Sequence, residues 1–249
     1  MKTKNILILS AATALLSTAN ATIIFQDDFE SYTQGTSING QGGWTADSYT
    51  IVSYDGGNGV QSPNNVLDAS ISHAFTEQTG TVYIGVDVDF RPGATNFFWI
   101  LASDDADYFN SGGATFSNSS EPTVRARNFD DDSSYNASYT AYGDPTRIVI
   151  TISASGANGS NYDTTTIWSE ATGTIISTIT GDTGISALDT FFAKRGTDTN
   201  GNSMIMDNLV VATTFNEAAM IPEPSTYAMI AGAGIMVLTM MRRRRKQIR

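Results

Sequence analysis

Alternation of apolar and polar side chains dominates the chain and predicts β-strands along most of its length. The clearest case is 82–90, where Val, Ile and Phe at even-numbered positions alternate with Tyr, Gly and Asp at odd-numbered ones. A period of two residues places one set on a buried sheet face and the other toward solvent. Arg91-Pro92-Gly93 then predicts a turn, and the apolar run at 96–101 predicts a second, more fully buried strand.

Strand patterns recur throughout residues 22–219, and none of the segments in this range has a convincing helical period. Further strands are predicted at 148–152, 164–168, 174–180 and 204–212, with weaker ones at 22–26, 49–54, 65–69, 73–77 and 123–129. The four residues from Glu170 to Gly173 predict a hairpin loop. Roughly ten to thirteen strands separated by Gly, Asn and Asp turns predict an all-β domain, with two antiparallel sheets packed as a jelly-roll sandwich.

The first 21 residues have the three parts of a secretory signal peptide. Lys2 and Lys4 supply a positive start, and a mostly apolar run at 6–16 follows. The small residues Ala19 and Ala21 flank Asn20 in the small-x-small pattern that precedes cleavage. Cleavage after Ala21 would leave residue 22 as the mature N-terminus, with the following domain outside the cytoplasm.

The C-terminal segment 220–249 also has three parts in a fixed order. It contains a Pro-Glu-Pro tripeptide, an uncharged run at 225–241 and a basic cluster; the residues are Pro222, Glu223 and Pro224, then Arg242, Arg243, Arg244, Arg245 and Lys246. As a helix the uncharged run would measure roughly 25 Å, close to the lower limit for a bilayer core of about 30 Å. We expect a transmembrane helix whose basic end stops transfer and stays in the cytoplasm.

This order resembles the PEP-CTERM sorting signal of exported bacterial proteins. The resemblance implies retention in the inner membrane, handling by a membrane-embedded exosortase, cleavage near Pro222–Pro224 and delivery to the cell surface or extracellular matrix. The alternative is an ordinary C-terminal anchor in which the tripeptide is a linker.

Charge is distributed unevenly between the domain and the two ends of the chain. Residues 22–219 hold 24 of the 25 acidic residues and six of the 14 basic ones, so this segment has a net charge of −18 against −11 for the whole chain. Such a surface repels phosphate backbones, which excludes nucleic acid as an expected partner, and it attracts divalent cations. The chain has no cysteine, so disulfides and thiolate chemistry are excluded as well.

The start and end of the predicted domain resemble concanavalin-A-like (LamG-like) jelly-roll domains. The similarity lies in FQDDFESY at 25–32, followed by Gly35 and Gly43-Trp44, and in MDNLVV at 206–211. First and last strands lie side by side in such folds, so the two signatures are expected to meet.

That expected meeting suggests a structural calcium site. Asp28 and Glu30 near the first strand and Asp207 on the last strand offer the hard oxygen ligands that Ca²⁺ prefers. Related carbohydrate-binding sandwiches resemble this chain in carrying a structural calcium where the chain ends meet. Here backbone carbonyls or water would complete the ligand set. The alternative is that these acids are solvated strand ends.

Catalytic motifs are not found. The Glu-x-Asp-x-x-Glu spacing of concanavalin-like glucanases does not occur. Asp87 and Asp89 are the nearest pair that shares a strand face, and there they are interpreted as solvent-facing charges. His73, the only histidine, has no nucleophile elbow beside it. A non-enzymatic protein is therefore predicted, with a glycoside hydrolase or lyase on the same fold as the alternative.

Carbohydrate binding is the predicted activity, with extracellular polysaccharide as the candidate partner. Aromatic faces stack on sugar rings while neighbouring amides and hydroxyls bind the sugar hydroxyls. Trp44, after two glycines, and Tyr135, Tyr139 and Tyr142 in a polar stretch are the candidate ligand-binding residues. Trp99, inside an apolar run, is predicted to belong to the core.

Overall fold

The computed structural model describes residues 22–64, 66, 68–90, 97–104, 110–118, 122–130, 133–138, 140–141, 146–169, 173–196 and 203–219. The predicted all-β, antiparallel two-sheet sandwich is confirmed. Sheet A contains β1 (Ile23–Asp27), β3 (Thr50–Tyr54), β4 (Gly57–Gln61), β6 (Val82–Phe90), β12 (Thr146–Ser153), β13 (Thr164–Ser169), β14 (Thr174–Thr180) and β16 (Met204–Ala212). Sheet B contains β2 (Thr45–Ala46), β5 (Ser70–Gln78), β7 (Phe97–Ser103), β8 (Ser111–Asn118), β9 (Pro122–Asp130), β10 (Ser133–Asn136), β11 (Thr140–Ala141) and β15 (Leu188–Arg195).

Strand order brings distant parts of the chain together. Sheet A runs β14-β13-β12-β6-β16-β4-β3, with β1 also pairing with β16, and sheet B runs β10-β9-β8-β7-β15-β5-β2, with β11 also on β9. The predicted hairpin is β13 and β14. The expected meeting of first and last strands is confirmed, since Phe25 pairs with Val211 and Asp27 with Leu209.

The core lies between the inward faces of the two sheets. The alternation predicted for β6 holds: Val82, Ile84, Val86 and Val88 are buried. They belong to one cluster with apolar side chains of sheet B, among them Phe98, Ile100, Phe116 and Phe191. Burial of each such side chain contributes about 1.5–3 kcal/mol, which explains how the fold is held without disulfides.

Two central strands of sheet B were missed by the sequence patterns. β8 (SGGATFSN) has low strand propensity, yet it is paired on both sides, by β7 and β9. Its Gly113 is needed for close approach, because a Cβ there would lie 2.1 Å from the Ile100 carbonyl oxygen. β15 (LDTFFAKR) was also missed. The weak prediction at 65–69 was wrong for its described part, since residues 66, 68 and 69 belong to no strand.

A short helix, α1 (Phe215–Ala219), was not predicted and packs on the outer face of sheet A. Phe215 makes edge-to-face contacts with Tyr83 and Trp168, whose ring centroids are 6.4 Å and 5.4 Å away. Within the described part of the chain, no helix is long and apolar enough to cross a membrane. The predicted signal peptide (1–21) and the C-terminal helix (225–241) both lie outside the described residues.

Candidate functional site

An acidic corner forms where the chain ends meet on sheet A. Asp207 of β16 lies opposite Asp87 of β6. Beside β4, the Glu30 carboxylate accepts a hydrogen bond of 2.8 Å from the Asn58 amide. Asp28 Oδ1 accepts one of 3.1 Å from the Glu30 amide. The acids proposed from the sequence thus belong to the same corner, together with Asp87.

The corner concentrates negative charge around Asp207, a residue that is only 6% exposed. Burial raises the pKa of Asp207 to about 7; the Asn208 amide opposes the rise, and Asp87, Glu30 and Asp28 add to it. Burial likewise raises the pKa of Tyr54 to about 12, with further contributions from Asp89, Asp87 and Asp207. A cation would be stabilised in such a potential.

Arg147 of β12 neutralises part of this charge. Its Nη1 is 3.0 Å from Asp87 Oδ1 and 2.8 Å from the Asn208 carbonyl oxygen, while Nε and Nη2 donate to the Ala218 carbonyl at 3.0 Å and 2.8 Å. A bulge in β16 with Asn208 at φ 50° accompanies this contact. The interpretation of Asp87 as a merely solvated charge was therefore wrong, because Asp87 helps Arg147 to fasten α1.

A ligand set of acidic side chains alone is not assembled at this corner. Among the described residues, no three His, Cys, Asp or Glu side chains lie together as a metal site. Asp28, Glu30 and Asp207 contribute to one electrostatic environment, and backbone carbonyls or water would have to complete any calcium coordination.

Trp44 is buried, so the prediction of an exposed sugar-stacking residue was wrong. Its side chain is 1% exposed and contacts Phe25, Phe29, His73 and Phe191. The indole Nε1 donates to Asp27 Oδ2 at 2.7 Å, and the Tyr32 hydroxyl donates to the same oxygen at 2.6 Å. The Gly43-Trp44 signature therefore closes one side of the sandwich.

The tyrosine candidates are only partly described. Tyr135 of β10 is 36% exposed, and its ring lies against Gly181, where a Cβ would be 2.1 Å from the ring. Tyr139 and Tyr142 lie outside the described residues, as do the signal-cleavage alanines, the Pro-Glu-Pro motif and the basic cluster.

A second candidate surface lies on the outer face of sheet B, which we call the basic face. It is defined by Trp99, Thr115, Arg125, Arg127, Phe129 and Lys194 on four adjoining strands. Cross-strand register places Lys194 opposite Trp99, Trp99 opposite Thr115, and Thr115 opposite Arg125. Trp99, predicted to belong to the core, is half-buried and packs against a small apolar cluster on this face, outside the main core between the sheets.

A small cluster of buried apolar side chains lies beneath the charged groups of the basic face. Leu101, Phe129 and Phe192 are buried there in a small cluster, with Trp99 packed against them. The Arg127 guanidinium carbon lies 3.6 Å from the centroid of the Phe129 ring. Thr115 Oγ1 is buried without a hydrogen-bond partner, and Lys194 Nζ is 3.2 Å from Asp68 Oδ1. The Arg-x-Arg spacing within the predicted strand at 123–129 is the sequence signal for this face.

No protein-family model matches the sequence, and no curated protein matches it either. Several solved structures are similar in fold. The T. cruzi calreticulin globular domain aligns over 89% of this chain and 99% of that chain, with a TM-score of 0.54 and 13% identity. The CBM2 module of Lactobacillus casei BL23 phage J-1 evolved Dit aligns over 77% and 95%, with a TM-score of 0.52 and 12% identity.

A sialidase aligns over 81% of this chain with a TM-score of 0.54 and 12% identity, and the match spans 20% of the sialidase chain. At these identities the likeness concerns the fold alone. The chain folds as an antiparallel β-sandwich of the jelly-roll type.

Proposed function

We propose that this chain is an exported, non-enzymatic surface or matrix protein that is sorted through its C-terminal PEP-CTERM segment and whose sandwich binds carbohydrate. The ordered Pro-Glu-Pro, uncharged and basic segments support the sorting step. The use of the first mature residues in the fold is compatible with cleavage after Ala21: Thr213 donates its amide to the Thr22 carbonyl at 3.1 Å.

The observation that carries carbohydrate binding is the basic face. It combines an indole and two guanidinium groups on one side of a regular sheet, and such groups stack on sugar rings and bind their oxygens. The outer face of sheet A offers no comparable surface around Trp168, because α1 packs there. Two of the similar structures are named as a sialidase and a CBM2 module, which agrees with a carbohydrate ligand.

The test is a glycan array with the purified chain, followed by titration of any glycan that binds. Trp99→Ala should weaken binding about tenfold, as loss of one stacking contact implies. The control Ile175→Ala alters a residue that is 56% exposed on β14 of the other sheet, and it should bind like the unaltered protein. Equal binding by both variants would contradict a site on the basic face.

The alternative function, a carbohydrate-active enzyme, is favoured by one observation. Asp207, with its raised pKa, faces Asp87, which is paired with Arg147, and glycoside hydrolysis uses a pair of carboxyl groups. A hydrolysis screen on the same glycans tests it. Turnover that disappears in Asp207→Asn, while that variant stays folded, would replace our proposal by the enzymatic one.

Processing at the C-terminus has its own test. Protein released at the surface should end near residues 222–225 and lack Arg242–Arg245 and Lys246, and release should require an exosortase. Mass spectrometry that finds intact Arg249 on the exported form would instead support a permanent anchor.

We also propose a structural calcium ion at the acidic corner, for which Asp28, Glu30 and Asp207 are the candidate carboxylate ligands. Because the three side chains are not gathered as a metal site in the described structure, binding would have to draw them together, with backbone carbonyls or water completing the coordination. What supports it is the raised pKa of Asp207 beside Asp87, Glu30 and Asp28, because a bound cation would relieve that repulsion. Its role would be to join the chain ends.

A further inference from the structure

The last described element of the chain, α1, covers an apolar patch on the outer face of sheet A. Phe215 supplies the aromatic contacts with Tyr83 and Trp168. A helix of five residues is too short to be stable alone, so α1 depends on its packing against the sheet. The buried members of the patch come from β12, β16 and α1; they are Val149, Val210, Ala212 and Ala218.

The C-terminal end of α1 is fastened through one backbone carbonyl. Arg147 Nε and Nη2 both donate to the Ala218 carbonyl oxygen, at 3.0 Å and 2.8 Å. Gly85 of β6 lies against the same carbonyl, and a Cβ at this position would overlap the oxygen. Glycine weakens the interior of a strand and often marks a close backbone approach. The fold therefore specifies where Ala218 sits on the sheet.

This attachment limits how far the sorting segment can extend from the domain. Pro222 follows Ala218 by four residues, so with α1 docked the tripeptide begins at most about 14 Å from the fixed carbonyl. Without α1 the last attachment is at Thr213, whose amide donates to the Thr22 carbonyl. Pro222 follows Thr213 by nine residues, and the maximum reach grows to about 32 Å.

We propose that α1 is a releasable strap that controls C-terminal processing: docked on sheet A it keeps the Pro-Glu-Pro segment from the processing enzyme, and its release makes that segment accessible. The inference rests on the sorting step proposed above and adds the regulation of that step. The uncharged run begins at Ser225, directly after the tripeptide, so under that proposal the cleavage point lies at the membrane surface.

The physical basis of the control is the space available to the enzyme. A membrane-embedded enzyme has to bind the tripeptide between the bilayer and a folded domain that is at most about 14 Å away along the chain. Release of α1 roughly doubles that length. It breaks only the contacts of one short element, and the pairing of β16 with β6 and β1 stays intact. The processing rate should then follow the fraction of molecules in which α1 is released.

The experiment measures the rate of C-terminal processing by pulse labelling in the producing bacterium, and mass spectrometry identifies the processed form. Insertion of about ten Gly and Ser residues between Ala219 and Met220 lengthens the maximum reach by about 35 Å and leaves α1 unchanged. We expect this insertion to raise the processing rate about threefold or more. The matched control places the same insertion between Gly159 and Ser160, in an exposed loop, and should leave the rate within about twofold.

Substitutions test the strap itself. Phe215→Ala removes the aromatic contacts, and Gly85→Ala places a Cβ against the Ala218 carbonyl. Each should raise the processing rate about threefold or more, and each should speed hydrogen exchange of the peptide 213–219 in the purified chain about tenfold. The matched control Phe75→Ala removes a partly buried phenylalanine that packs against the main core, and it should leave the processing rate within about twofold. Circular dichroism checks that each variant is folded; the insertion and Phe215→Ala keep the test valid if Gly85→Ala unfolds.

The outcomes separate the strap from the sorting step. Equal processing rates for the unaltered chain, the insertion after Ala219 and Phe215→Ala would overturn the strap and leave the sorting step in place. Slower processing of these variants would also overturn it, because docked α1 would then be part of what the enzyme recognises. Processing that Phe75→Ala speeds as much as Phe215→Ala would assign the rate to global unfolding. No processing of any chain, with Arg249 intact throughout, would overturn the sorting step and the strap together.

Discussion

Replacing Arg147 by methionine tests whether the acidic corner and α1 are fastened by one side chain. Arg147 Nη1 binds Asp87 and the Asn208 carbonyl, and Nε and Nη2 bind the Ala218 carbonyl. The side chain of Arg147 is 9% exposed and that of Asp87 is 27% exposed. Methionine fills part of the volume and removes the charge and all the donors, so Asp87 would face Asp207 without its cation.

The structure sets the size of the effect. Removal of one partner from a buried ion pair costs about 3–5 kcal/mol, because the other charge is left uncompensated. Asp87 is partly exposed and keeps a 2.8 Å hydrogen bond from Asn208 Nδ2, so the lower end applies. We expect Arg147→Met to lower the free energy of unfolding by about 3 kcal/mol.

Urea unfolding of the purified chain, followed by circular dichroism, measures this loss. Arg147→Lys is the matched control, expected to recover part of it by keeping the charge without the fork. Adding Asp87→Asn to Arg147→Met should restore stability, since the stranded charge is then removed. A loss below about 1 kcal/mol, or additive effects in the double variant, would refute the account of Arg147 as a buried clamp.

Three further predictions concern the two ends of the domain. Asp27→Ala removes the acceptor shared by Tyr32 and Trp44, so it should lower the free energy of unfolding by about 2 kcal/mol and change the tryptophan fluorescence. The control Asp28→Ala, measured in EDTA, should change the free energy of unfolding by less than about 1 kcal/mol. Equal losses in the two variants would contradict the role given to Asp27. In metal-free buffer the free energy of unfolding should fall as pH rises from about 4 to about 7, because Asp207 with its raised pKa binds a proton in the folded state that the unfolded chain has released. Asp207→Asn should flatten this pH dependence. An unchanged pH dependence in the variant would mean that another group is responsible. Calcium should raise the melting temperature and EDTA should lower it, both effects disappearing in Asp207→Asn; an unchanged melting curve together with no metal by elemental analysis would dismiss the calcium proposal.

Strands were predicted correctly where the residue pattern within the strand itself is typical of a strand. The patterns at 82–90, 174–180 and 204–212 predicted β6, β14 and β16 with the bounds observed, since each strand has a continuous run of alternating or β-branched residues. β8 failed because its Ser and Gly residues show no such run. It becomes a strand because neighbours on both sides supply its hydrogen bonds.

The candidate sites also divide into features that the sequence indicated and features that only the tertiary structure shows. The resemblance at the two ends implied adjacent first and last strands, and β1 does pair with β16, which brings the segments that carry Asp28, Glu30 and Asp207 to one corner. It gave no indication of Arg147 on Asn208 and Ala218, contacts that depend on a bulge in β16 and on a helix seventy residues away in the chain. It also placed Trp44 at the surface, although this side chain is buried.

The sequence by itself determined the all-β class, the two-sheet sandwich and the negative charge of the domain, because period, composition and turn residues are local properties of the chain. Tertiary structure alone decided which aromatic residues are buried and which positively charged residues share a face. Burial of Trp44 depends on Phe25 and Phe191, and the basic face depends on the register of β15, β7, β8 and β9. Those neighbours are distant in sequence, so no local pattern specifies them.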